Sequence, residues 1–132
     1  MALAYSSTAR NNRLDEITAL IDGGSGAGKL RIYNGTRPST GLTATTLLAE
    51  CLFTDPAAPA ASGGVLTMSA IADGTGLADF DATWFRVVDS DNVFVMDGNV
   101  GTISSDLNLN TISIVTGINV VINSFVITGG NA

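Results

Sequence analysis

Apolar and polar positions alternate most clearly between residues 79 and 98. Two runs rich in aromatic and β-branched residues, 83–88 and 93–96, flank the polar quartet Asp89-Ser90-Asp91-Asn92. That is the pattern of a β-hairpin. A four-residue loop places Val88 opposite Val93, Val87 opposite Phe94 and Phe85 opposite Met96. Side chains alternate across a strand, so Phe85, Val87, Phe94 and Met96 are expected to share a core face. Trp84, Arg86, Val88, Val93, Val95 and Asp97 then share the other face. Arg86 lies diagonally across from Asp97, within reach of an ion pair.

The rest of the chain supplies one helix and a series of short strands. Residues 7–22 carry Leu14, Ile17, Leu20 and Ile21 at helical spacing. Ser6 or Ser7 can cap the N-terminus, and Gly23-Gly24 ends the run. Residues 23–28, glycine-rich, read as a flexible connector. Lys29-Leu30-Arg31-Ile32-Tyr33 alternates as a strand, with Leu30 and Ile32 on one face and the basic pair on the other. Asn34-Gly35 is a turn signal, 36–46 a loop and 46–53 a second strand. Residues 55–64 hold two prolines, four alanines and Gly63-Gly64. They read as a long loop too apolar to be a free linker, and so one lying along a surface. A third strand is expected at 65–71, a turn at 73–76, and a continuation of the meander at 100–104. The last third alternates through Leu107, Leu109, Ile112, Ile114, Ile118, Val120, Ile122, Phe125 and Ile127. Its phase slips after Leu109 and near Asn123, which predicts bulges or short loops. About eight strands between turn signals imply a mainly β fold, an antiparallel β-sandwich or barrel with one N-terminal α-helix. The whole of 1–132 is read as one domain: helix 7–22, connector 23–28 and β body 29–128.

Composition narrows the function. The 132 residues suffice for one domain with a core. Charged residues make up only 14% against 45% hydrophobic, as suits either a surface that meets neighbours in an assembly or a compact β domain with a polar, uncharged exterior. Five of the six basic residues, Arg10, Arg13, Lys29, Arg31 and Arg37, fall by position 37, giving that stretch a net charge of +2. From residue 38 onward the balance is −8, with Arg86 the one base. An acidic body argues against nucleic acid as a partner. The asymmetry suits head-to-tail contact between copies or docking of the basic segment on an acidic partner. No apolar run approaches a membrane span, and the N-terminus lacks the positive region of a secretory signal. No membrane partner is expected.

The chemistry-bearing motifs fail on their own terms. There is no histidine, and Cys51 is the single cysteine. It sits in an apolar run and reads as a buried structural thiol. Gly23 to Lys29 spells Gly-x-x-x-x-Gly-Lys, but Leu30 stands where a phosphate loop needs Ser or Thr, and the helix precedes rather than follows. Asp89 to Val100 lacks the Gly and Glu of an EF-hand, so its acids read as turn formers. Asp79 and Asp81 read as solvated acids rather than paired glycosidase carboxylates. No enzyme activity, cofactor or metal is expected.

Several stretches resemble, in order along nearly the whole chain, a family of small tailed-bacteriophage virion structural proteins. They are the N-terminal helix followed by 29–38 (Lys-Leu-Arg-Ile-Tyr-Asn-Gly-Thr-Arg-Pro), 46–49 (Thr-Leu-Leu-Ala), 84–91 (Trp-Phe-Arg-Val-Val-Asp-Ser-Asp) and 124–128 (Ser-Phe-Val-Ile-Thr). The resemblance implies a structural protein of the particle, foremost a capsid decoration or cement protein on the outer surface of the head. Its partners would be the major capsid protein and further copies of itself, as a dimer or trimer, and its location the virion, after assembly in the host cytoplasm. The candidate contacts are Tyr5, Arg10, Arg13, Arg31 and Arg37 in the basic N-terminal portion, and Trp84 and Arg86 on the hairpin. A tail or baseplate component is the alternative within the virion. A carbohydrate-binding module is the alternative outside it, and it needs Trp84 exposed in a groove.

Overall fold

The structure, a computed structural model, describes residues 3–129. Helix α1 spans Ser7–Ile21. Eleven strands follow: β1 Lys29–Tyr33, β2 Leu47–Leu52, β3 Val65–Thr67, β4 Gly74–Thr75, β5 Phe80–Asp81, β6 Trp84–Val88, β7 Phe94–Gly101, β8 Leu107–Leu109, β9 Ser113–Ile114, β10 Asn119–Val120 and β11 Ile122–Thr128. Seven of them form one curled sheet in the order β2-β1-β6-β7-β8-β11-β3, a half-barrel. Two small pairs, β4 with β10 and β5 with β9, stand beside it. The fold is mainly β with one N-terminal helix, as the alternation predicts. One pairing departs from the antiparallel expectation: β7 and β8 run parallel over two residue pairs, Val100 with Leu107 and Gly101 with Asn108.

The inner face of the sheet is the core. Across β2, β1, β6 and β7 the inner rows read Cys51, Leu30, Val87, Met96 and then Ala49, Ile32, Phe85, Gly98. Phe85 is fully buried and meets Phe125 of β11 edge-on, with ring centroids 5.2 Å apart. Full burial of such a side chain contributes roughly 1.5–3 kcal/mol. The Phe85 ring lies over Gly98, where a Cβ would come within 2.5 Å of ring atoms. Glycine is therefore what lets the ring cross β7 into the core.

Helix α1 seals the open side of the curl. The Ser6 hydroxyl accepts from the Ala9 amide as N-cap. Leu14 and Ile21 are buried and Ile17 packs against the core, while Leu20 turns half-exposed to solvent. Its polar side holds the 55–64 loop. Asn11, Asp15 and Asp22 accept the amides of Gly64, Ala61 and Ala57 at 2.8, 2.7 and 2.9 Å. This is the surface on which that apolar loop lies: the protein's own helix, with Ala57 and Ala58 buried beneath.

Several local expectations change. The 23–28 connector is tied down, because the Ser25 and Gly26 amides donate to the Ser90 hydroxyl, which in turn donates to the Gly23 carbonyl. Gly24 makes the bend at φ +81, a conformation open to glycine. Strand β3 stops at Thr67 rather than Ile71. The expected 73–76 turn instead contains β4, pairing with β10. Ile114 is buried and its alternation partner Ile112 exposed. The phase slip near Asn123 is a register shift between Ile122 and Ser124.

Candidate assembly surface

The outer face of β2, β1, β6 and β7 gathers Lys29, Arg31 and Arg86 with Tyr33, Trp84 and Phe94. Register alone builds it. One row across the four strands reads Glu50, Arg31, Arg86, Asp97, and the next reads Leu47, Tyr33, Trp84, Asn99. The charged row thus has acids at both ends and two guanidiniums between. Arg31 pairs with Glu50 at 2.8 Å. Arg86 pairs with Asp97 through two bonds of 2.8 and 3.1 Å, and both side chains are largely buried. The hydrogen bond to Asp97 raises the Arg86 pKa further above its ordinary value, against the opposing effect of burial.

Arg86 and Asp97 stand directly opposite each other, one step from the expected diagonal, because β7 carries a bulge. Val88 faces Phe94 and Val87 faces Met96, leaving Val95 unpaired between them. The extra residue moves Phe94 from the core face to the Trp84 face. There its ring centroid lies 5.3 Å from the Arg86 guanidinium carbon, as does that of Trp84. The turn itself closes as Asp89 accepts from the amides of Asp91 and Val93 through its carboxylate, with Asn92 at φ 66. Asp89 is thus engaged as a turn former.

Trp84 is fully buried and stacks on Tyr33 at 4.4 Å, with ring planes 16° apart. Its cover is the chain's own 34–46 loop. The Trp84 indole donates to the Asn34 carbonyl and the Thr45 hydroxyl, each at 3.0 Å. Arg86 donates to the Leu42 carbonyl at 2.7 Å, and the Gly41 amide donates to Asp97. The same burial lifts the Tyr33 pKa, with Arg31 and Arg86 pulling it back. Two features of the loop face outward: Arg37, which has no polar partner among the described residues, and Leu42, 61% exposed.

The other candidate contacts are distributed differently. Arg10 donates to the Gly129 carbonyl at 2.9 Å and so fastens the first turn of α1 to the end of β11. The Arg13 guanidinium carbon sits 4.5 Å from the Tyr5 ring centroid, and that pair lies on the exposed side of the helix. Arg31, besides Glu50, donates to the Asn92 side chain, as does Lys29. The seven candidate residues therefore do not form one patch. Arg31, Arg37, Trp84 and Arg86 belong to the outer sheet face and its loop; Tyr5, Arg10 and Arg13 belong to the start of the helix. Sequence reasoning missed Leu42 and the role of the 36–46 loop. The one available signal was the need of a buried indole N–H for an acceptor.

Other chemistry-bearing groups are placed without a shared site. Cys51 is buried, and burial pushes its thiol up to about 11. Lys29 leads into β1 rather than a helix, so the glycines before it face no helix N-terminus. Asp79 is exposed and accepts from the Thr116 amide and hydroxyl, which hold its carboxyl below the usual range. No group of three or more acids or cysteines stands close enough to hold a metal among the described residues. Comparisons with protein-family models, curated proteins and solved structures returned no match.

Proposed function

We propose that this protein is a non-enzymatic structural component of a tailed-bacteriophage particle, a decoration protein bound to the outer surface of the head. One observation supports this most: the aromatic and charged residues of the outer sheet face bind the chain's own loop, so the fold offers a rigid body with presenting segments rather than a reaction site. Decoration needs that combination. Many copies of a stiff module add small contacts through avidity, with the major capsid protein as the partner. The contact surface narrows to the 36–46 loop with Arg37 and Leu42, and to the helix face with Arg13. Arg10, Arg31 and Arg86 act by holding the body in shape, and buried Trp84 supports the loop from beneath. A carbohydrate-binding module would need an open Trp84 face, and that face is closed by Asn34, Thr45 and Leu42.

The test is a reconstruction of particles assembled with the protein. Density for the β body at regular positions on the shell is the expected result. Density in the tail or baseplate would transfer the protein to that role, and absence from the particle would end the virion reading. Arg37→Glu combined with Leu42→Asp should reduce shell occupancy by about tenfold, equivalent to about 1.4 kcal/mol per site, while leaving the fold intact.

A further inference from the structure

The 34–46 loop leaves β1 through the Asn34–Gly35 peptide. Asn34 is the only asparagine of the sequence that glycine follows. It is half-buried, and Gly35 and Thr36 beyond it are exposed. The carbonyl of this peptide, on Asn34, accepts from the Trp84 indole at 3.0 Å and from the Thr45 hydroxyl. Its amide, on Gly35, has no acceptor among the described residues. The Asn34 side-chain carbonyl accepts the Thr46 amide at 3.1 Å. Gly35 sits at φ +73 and carries no side chain to screen its nitrogen.

These bonds act on two atoms that can react with each other. Two donors on the Asn34 carbonyl draw electron density through the peptide and make the free Gly35 N–H more acidic. The Thr46 donor draws density from Cγ of Asn34 and stabilises the charge that an attack there places on Oδ1. Bonding the Gly35 nitrogen to Cγ closes a five-membered ring.

We propose that Asn34–Gly35 is a self-modification site, at which Asn34 converts through a cyclic imide to aspartate and isoaspartate. Hydroxide takes the Gly35 amide proton, and the nitrogen attacks Cγ with its electron pair. The new C–N bond forms as Cγ–Nδ2 breaks, and Nδ2 leaves as ammonia with a proton from water, which restores the hydroxide. Water then adds to one of the two ring carbonyls. Opening at Cγ gives aspartate. Opening at the main-chain carbonyl gives isoaspartate, in which the chain runs on through Cβ and Cγ. Water is the one co-reactant, and nothing is oxidised or reduced.

The two products differ in what they do to the cover over Trp84. Aspartate leaves the main chain as it was, and its carboxylate still accepts the Thr46 amide. Isoaspartate adds a carbon to the main chain, so that Gly35 hangs from the former side chain. The Gly35 carbonyl is thereby carried off the Thr83 hydroxyl that donates to it. The old peptide carbonyl is left as a carboxylate, a new charge against the fully buried indole. The loop then loosens over Trp84, whereas the aspartate form stays shut. The peptide thus builds a slow, one-way change into the loop. The conversion stands independently of the virion assignment.

Peptide mass mapping of the folded protein, held at mildly alkaline pH, tests it. The peptide holding Asn34 is expected to gain one mass unit and to take a methyl label from an isoaspartyl methyltransferase, ahead of every other described asparagine. In the isolated isoaspartyl fraction, acrylamide should quench Trp84, the single tryptophan, more strongly than in fresh protein. Asn34→Asp should be quenched as fresh protein is, which separates the added carbon from the added charge. Asn34 left intact in the folded protein over a period in which the urea-unfolded chain converts, a different described asparagine converting first, or an isoaspartyl fraction whose Trp84 is as shielded as in fresh protein would each overturn the proposal.

Discussion

The two halves of the sheet obey the same alternation and end differently. Across β2, β1, β6 and β7, four strands of five to eight residues run antiparallel, interrupted only by register shifts between β1 and β2 and between β6 and β7. Their inner rows are core and their outer rows are closed by the 34–46 loop. Across β7, β8 and β11 the middle strand is too short for its neighbours, and a cleft opens. Hydrophobicity does not separate the halves, since Leu107 and Leu109 are as buried as Leu30 and Ile32. Strand length does, because each missing residue pair leaves peptide groups without partners.

The sharpest way to break this comparison is to remove the side chain that joins the halves. Phe85→Ala deletes the ring that crosses Gly98 to meet Phe125 and should cost about 3–5 kcal/mol in urea unfolding. A loss under 1 kcal/mol would mean that the halves are held together elsewhere. Asp97→Ala comes next. It strands the largely buried Arg86 guanidinium and frees the Gly41 amide, and should cost about 3 kcal/mol while exposing Trp84 to fluorescence quenchers. Glu50→Ala removes the other ion pair of the same row, at a less buried site, and should cost about 1 kcal/mol or less. Thermal melts of the two variants side by side sharpen the contrast between the covered and open ends of one charged row. Val126→Ala, on the cleft side, should shift stability by no more than about 0.5 kcal/mol.

A pH series separates the halves once more. The buried Cys51 thiol titrates at about 11 in the fold against an ordinary value of 9.0. Its folded pKa is raised, so its contribution is fully present below pH 9 and is lost as pH rises toward 11. Stability should fall across that window, and Cys51→Ala should fall less steeply. Equal slopes in the two proteins would contradict a buried, protonated thiol.

Much of the four-stranded half was legible in the sequence. Its strands are long enough to alternate, and Ser6 and Gly23-Gly24 mark the helix ends by their chemistry. The bulge at Val95 was not legible, because it inserts a β-branched residue with no glycine to announce it. Phe94 and the exact opposition of Arg86 and Asp97 were misplaced with it. The two-residue strands β4, β5, β9 and β10 are shorter than any period can reveal. The outer charged row was legible only in part. The hairpin predicts the Arg86–Asp97 pair, whereas Arg31 and Glu50 join it only through the register of strands far apart in sequence. The cleft was invisible for the same cause: it depends on how far β8 falls short of two strands it does not adjoin in the chain.

Native-state hydrogen exchange tests the contrast between closed and open halves most directly. The amides of Leu30, Ile32 and Phe85 should exchange only through global unfolding, whereas those of Asp97 and Thr128 should exchange as exposed backbone. Protection of the second group equal to that of the first would contradict an open edge between β7 and β11.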